Sequence, residues 1–245
     1  MKLQKKTVTV GKSKVRYLHG GKGKPMLYLH GWPAAPPVYG KSLEILAENF
    51  TVYAPYLFDM KCNTIQEISA CVKSMVSQLG VSGCAAAGIS FGGAVAAAAA
   101  MDKETISNLV LIGPAGLPRQ ASFGKMLVNL IMTSARMLAH GKTKTITHRM
   151  LSVATFISQL RQSETRRLFN EIRSSKNTHA CYMFQAIQVA TTIIWCINDD
   201  VFPYYNAPIL QNLIKNSKMI SVKGDHYWAM HEPVQFAEIV ANALK

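Results

Sequence analysis

A serine on a tight turn, an aspartate and a histidine, each just past an apolar run, are the residues of this chain best suited to act together. The serine is Ser90, in Gly88-Ile89-Ser90-Phe91-Gly92. A short apolar run, Val81 to Ala87, precedes it, and the uncharged, helix-favouring run Gly93 to Met101 follows. A serine held between strand and helix has its hydroxyl pushed out of the sheet, and glycine-sized neighbours let the backbones pass closely. Such a serine becomes a nucleophile when a base takes its proton and an acid orients that base.

Both partners are available downstream. Asp199 follows the strand-like Thr191 to Ile197 and precedes Pro203 by four residues; His226 follows the strand-like Met219 to Lys223, in Gly224-Asp225-His226. Both fall at strand C-termini, where open α/β sheets bind ligands. The order Ser, Asp, His differs from the other two serine-triad orders. Asp200 competes with Asp199 for the acid role and His231 with His226 for the base role. The offset to Pro203 favours Asp199, and the position directly after the strand favours His226.

The remaining pattern supplies the elements that must position these groups. Thr7–Val10 and Lys14–Leu18, joined through Gly11, read as a hairpin. Gly20 to Pro25 lacks the spacing and the Ser/Thr of a phosphate loop and reads as a flexible connection. From Met26–Leu29 onward, strands and helices alternate: helix Val38–Glu48, strand Thr51–Ala54, helix Ile65–Leu79, strand Cys84–Ala87, the helix after Ser90, and strand Leu109–Ile112. This alternation predicts an α/β fold with a mostly parallel, doubly wound sheet. It stops between about Leu117 and Ile187, where helical periodicity dominates, as in Met126 to Met132. It resumes with the Asp199 strand, a helix near Ala207–Lys215, the His226 strand and a final helix, Pro233–Leu244.

Leu29-His30-Gly31-Trp32, the Ser90 pentapeptide with Gly93, Val110 to Pro114, Asp199 with Pro203, and His226 with Pro233 together resemble the landmarks of the α/β-hydrolase superfamily. The resemblance runs from about residue 7 to the end of the chain. It implies a core of residues 1–116 and 188–245 with a helical cap, 117–187, inserted above Ser90. It implies a serine hydrolase cleaving a small or medium ester or thioester, with Ser90, Asp199 and His226 catalytic. The backbone N–H groups of Trp32 and Phe91 would hold the oxyanion, and His30 would brace the Trp32 loop. Two positions depart from the family pattern. Pro55 to Asp59 lacks the usual acid and glycine after the fourth strand, and Asp225 stands where glycine usually precedes the histidine. Three other activities fit the same residues: carbon–carbon hydrolysis of an anionic diketone, acyl transfer to an acceptor other than water, and ligand binding without catalysis. Tyr227, Trp228 and Met230 either line the pocket rim or pack in the core.

Composition narrows the partners. At 245 residues and 49% hydrophobic, the chain can bury a full α/β core. Its five cysteines, Cys62, Cys71, Cys84, Cys181 and Cys196, show no metal-ligand spacing, so no metal is expected, and the serine hydrolase that the resemblance implies needs no cofactor. Their odd number and the absence of a signal-peptide core near Met1 point to the cytoplasm. Cys84 to Met101 is uncharged for eighteen residues, but its glycines and its strand–helix split mark a buried element rather than a membrane span. The net charge is +14, and residues 119–187 hold eleven Lys or Arg against Glu164 and Glu171 alone. Solubility accounts for this charge most simply; attraction of an anionic substrate or of an acidic membrane surface are the other readings. No nucleic-acid motif accompanies it, and nothing in the sequence sets an oligomeric state.

Overall fold

The computed structural model describes residues 2–117 and 182–245. Eight strands form one sheet: β1 (Gln4–Val10), β2 (Ser13–Gly20), β3 (Lys24–Leu29), β4 (Phe50–Pro55), β5 (Cys84–Ile89), β6 (Ile106–Ile112), β7 (Ala190–Cys196) and β8 (Ser217–Val222). Their spatial order is β1-β2-β4-β3-β5-β6-β7-β8. The β1–β2 and β2–β4 pairs are antiparallel and every later pair is parallel. The doubly wound α/β sheet expected from the alternation is therefore present. The expected cap, 117–187, lies outside the described residues apart from its two ends.

A parallel sheet must be covered on both faces, and the strands carry apolar residues on both sides accordingly. In β3, Leu27 and Leu29 pack on one face with Val72, Met75 and Val95, while Met26 and Tyr28 pack on the other with Leu43, Phe236 and Val240. The first face is covered by α2 (Ile65–Gln78) and α3 (Phe91–Ala100), the second by α1 (Gly40–Leu46) and, near the chain end, Pro233–Ala243. Between β7 and that last helix run α4 (Asn206–Leu213), β8 and the short α5 (Trp228–His231), which makes Pro233–Ala243 α6.

α2 starts where its cap permits. The Thr64 hydroxyl accepts the Glu67 N–H at 3.1 Å, and the Glu67 carboxylate accepts the Asn63 N–H at 2.7 Å. Two expectations differ from what is observed. The stretch read as a helix from Val38 divides into a 3-10 turn, Pro36–Tyr39, and α1, the backbone leaving α geometry at Tyr39 (φ −98°, ψ 13°) and entering it at Gly40. The stretch read as a flexible connection is a short segment that crosses the start of β4 from β2 to β3, with β3 beginning at Lys24. A Cβ on Gly21 (φ 108°) would sit 1.9 Å from the Phe50 carbonyl oxygen, so the glycine is required by contact. No described helix is long and apolar enough to cross a membrane.

Candidate active site

Ser90 follows β5, Trp32 follows β3, Asp199 follows β7 and His226 follows β8, so all four lie at the C-terminal ends of parallel strands. Ser90 has φ 53° and ψ −119°, a conformation that L side chains rarely adopt. Four backbone hydrogen bonds hold it there. Its N–H donates to the Ile112 carbonyl at 2.9 Å, and its carbonyl accepts the N–H groups of Ala115 at 2.9 Å, Gly93 at 3.0 Å and Ala94 at 3.3 Å. The flanking glycines are required by contact. A Cβ at Gly88 would lie 2.4 Å from the Gly92 carbonyl oxygen, and one at Gly92 would lie 2.1 Å from that of Leu29.

Strands lie about 4.8 Å apart, so β6 separates Ser90 from the β7 and β8 loops by two strand spacings or more. The loops cross this gap. His226 Nε2 accepts from the Ser90 hydroxyl at 3.1 Å, and His226 Nδ1 donates to Asp199 Oδ2 at 2.8 Å, in the tautomer this network selects. The crossing needs a bare β6 terminus. At Gly113 (φ 43°) a Cβ would stand 3.2 Å from Asp199 Oδ2 and 3.8 Å from His226 Nδ1. Gly113 belongs to the Val110 to Pro114 landmark in sequence, but its steric role depends on the two loops folding over it.

Asp199 is buried, and its second oxygen accepts the N–H groups of Val201 at 2.9 Å and Phe202 at 2.8 Å. The Trp195 indole N–H pins the same loop through the Phe202 carbonyl at 3.0 Å. Burial of the His226 imidazole works against its charged form. The charge and hydrogen bond of Asp199 oppose this, with help from Asp200 and Asp225, and the net shift is upward from 6.5. Asp200 is half-buried with its charge felt by His226, and burial raises its own carboxyl pKa. Asp225 accepts the Tyr227 N–H at 2.9 Å, and His231 lies 3.8 Å from it, away from the Ser90 chain of hydrogen bonds. Tyr227 packs edge-on to the His226 ring, and Trp228 is buried against Phe236.

On the opposite side of Ser90, a Cβ at Gly31 would come 3.3 Å from Ser90 Cβ, so the backbone leading to Trp32 passes beside the hydroxyl-bearing carbon. Phe91 opens α3, where helix N–H groups have no intrahelical acceptor and the helix dipole favours negative charge. His30 is fully buried: Nε2 accepts the Leu57 N–H at 3.1 Å and Nδ1 donates to the Gly31 carbonyl at 3.1 Å. Burial lowers its pKa to about 4, which keeps it neutral. The turn Leu57–Met60 that it grips also carries Phe58, stacked on Phe91 with centroids 5.7 Å apart. Asp59 of that turn is clamped by Arg16 at 2.6 Å. No sequence signal singles out Phe58 or the Arg16–Asp59 pair.

A cavity of about 10 Å³ touches Gly113, Cys196, Asp199, His226 and Trp228. It is near the lower limit for one water and too small for an acyl group. Among the described residues no group of three or more His, Cys, Asp or Glu could hold a metal ion.

This architecture is the α/β-hydrolase fold, shared with solved structures of low sequence identity. A membrane phospholipase A described as a bacterial virulence factor superposes with TM-score 0.81 at 18% identity, over 99% of this chain and 86% of that one. A putative lipase from Acinetobacter baumannii AYE gives 0.79 at 17%, covering 99% and 91%. A meta-cleavage product hydrolase from Pseudomonas fluorescens IP01 gives 0.75 at 16%, covering 97% and 96%. No protein-family model matches the sequence, and no curated protein matches it either.

Proposed function

We propose that the protein is a cofactor-free serine hydrolase that cleaves a small or medium carboxylic ester or thioester through an acyl-enzyme on Ser90. The observation that carries this reading is the continuous hydrogen-bonded line from the Ser90 hydroxyl through His226 to buried Asp199, at 3.1 Å and 2.8 Å. In this mechanism His226 Nε2 takes the hydroxyl proton as Ser90 Oγ attacks the substrate carbonyl carbon. Asp199 orients the ring and stabilises the imidazolium. The N–H groups of Trp32 and Phe91 hold the tetrahedral oxyanion, an interaction worth about 3–4 kcal/mol per donor in comparable sites. His226 then gives its proton to the leaving group. Water, deprotonated by the same nitrogen, attacks the acyl-enzyme, and His226 returns that proton to Ser90 Oγ as the ester bond breaks and the acid is released.

The test is intact-mass labelling with a fluorophosphonate beside a p-nitrophenyl ester chain-length series. Wild type should take one adduct and turn over esters, and Ser90→Ala should do neither. Undiminished turnover in Ser90→Ala would refute the nucleophile. An inert wild type of intact fold would point to ligand binding. Cleavage of an anionic diketone acid without ester turnover would move the reading to carbon–carbon hydrolysis.

A further inference from the structure

Two cysteines that the hydrolytic chemistry does not use face each other on the oxyanion side of the molecule. Cys62 Sγ and Cys71 Sγ are 3.5 Å apart, both thiols are free, and both residues are half-buried within reach of solvent. Their separation of nine residues fits no motif. The contact exists because the chain turns back on itself between the Leu57–Met60 turn and the second turn of α2. We propose that Cys62 and Cys71 are a modification site: a dithiol that an external low-molecular-weight disulfide closes into an internal one. Closure shifts the turn that supports His30 and Phe91. This second part rests on the function proposed above.

The chemistry balances without a cofactor. Burial, reinforced by the neighbouring Cys71 thiol, pushes the Cys62 thiol up to about 12, which makes Cys62 the poorer first nucleophile. Cys71 sulfur therefore attacks the external disulfide, forming a mixed disulfide and releasing one small thiol. Cys62 sulfur then attacks Cys71 sulfur and expels the second small thiol. Two protein thiols are oxidised, one external disulfide is reduced, and the two thiol protons end on the two leaving groups.

The geometry determines which side moves. Bond formation brings the sulfurs from 3.5 Å to about 2.05 Å. Cys71 rides on α2, whose Ile68, Val72 and Met75 are fully buried in the core. Cys62 sits on the connection that follows Lys61, a left-handed residue at φ 53°, and its thiol touches the Met60 carbonyl at 3.4 Å. The displacement accordingly enters the Leu57–Met60 turn. That turn contacts His30 through the Leu57 N–H and Phe91 through the Phe58 ring.

The test uses the full chain in a Cys181→Ser background, titrated with oxidised glutathione. The expected product has lost two hydrogens by intact mass, with a 62–71 link in the peptide map. The link should be absent in Cys62→Ser and Cys71→Ser. Oxidation should lower kcat on the best ester several-fold, reversibly by dithiothreitol, and should change amide exchange at Leu57. Both serine variants should keep reduced-state activity and ignore the oxidant. Stable glutathione adducts on separate cysteines, or no reaction under native conditions, would overturn the dithiol site. A 62–71 link that leaves both kcat and Leu57 exchange unchanged would overturn the coupling. The mass and exchange readouts need no turnover, so they decide the proposal even if the ester reading fails.

Discussion

Under the proposed mechanism His226 takes up and releases a proton twice in each cycle, so its pKa sets the lower pH limit of turnover. The neutral ring is the base, and its pKa is raised above 6.5 by Asp199, Asp200 and Asp225 against the opposing pull of burial. kcat/KM should therefore fall on acidification through a limb above pH 6.5. Asp225→Asn removes one of the three negative charges while retaining an acceptor for the Tyr227 N–H. It should move that limb to lower pH, and a pH–rate profile unchanged in Asp225→Asn would remove Asp225 from the account. His30 behaves oppositely. Its folded-state pKa is depressed from 6.5 to about 4, so the unfolded chain binds the proton first as pH falls. The stability from keeping it neutral is present above pH 6.5 and lost between 6.5 and about 4. It amounts to about 3 kcal/mol at the full shift. Urea unfolding midpoints should show a shallower acid loss in His30→Gln than in wild type. Residue types and strand positions made Ser90, Asp199 and His226 legible as candidates. The company of Asp200 and the packing of Phe58 were not legible, because both depend on which loop folds over which.

The elements that hold Ser90 depend on an approach between backbones that only small residues allow. β5 reads Cys-Ala-Ala-Ala-Gly-Ile and α3 reads Phe-Gly-Gly followed by alanines and one valine, and every residue of α3 is buried. Gly92→Ala places a methyl against the Leu29 and His30 carbonyl oxygens, at 2.1 Å and 2.5 Å before any relaxation. Overpacking of this kind costs about 1–3 kcal/mol. Gly92→Ala should therefore lower Tm by several degrees and also displace Phe91. Gly80→Ala is the contrast: it is strained by its positive φ of 66° yet meets nothing within 4 Å. It should lower Tm while sparing turnover. If Gly92→Ala matched Gly80→Ala in both respects, close approach would not be what fixes the Ser90 turn. The same small-residue pattern explains why the sheet and its helix order could be read from sequence: apolar runs of strand length alternate with helical ones from Met26 to Ile112. What escaped was local. The Gly20 to Pro25 stretch looks like a linker in composition, and only the Phe50 carbonyl against Gly21 reveals it as a segment packed tightly on β4.

At the scale of the whole molecule, charge is divided in a way that residues 119–187 alone do not capture. Residues 1–24 carry eight Lys or Arg and no acid, and residues 119–187 carry a net +9, so the rest of the chain is −3 against a total of +14. Six of the first group lie on the β1–β2 hairpin and the segment after it, with Lys2 just before β1 and Lys24 opening β3. Because Tyr17 of β2 pairs with Pro55 of β4, the hairpin tip projects past the C-terminal ends of the parallel strands, the end where Ser90 lies. Lys12 and Lys14 are exposed at that tip, and Ser13 bonds the Met60 carbonyl at 3.1 Å, which brings exposed Lys61 alongside them. A positive rim at the mouth of a site raises the encounter rate of anions and is screened over about 10 Å at 0.1 M salt. If this rim steers substrate, kcat/KM for an anionic ester should fall with added salt while that for a neutral ester of equal chain length stays flat. Lys12→Glu/Lys14→Glu/Lys61→Glu should flatten the anionic response and leave the neutral ester unaffected. A salt response that survives the triple substitution would assign steering to residues 119–187 instead. Flat responses for both esters in wild type would leave the charge with a role in solubility alone.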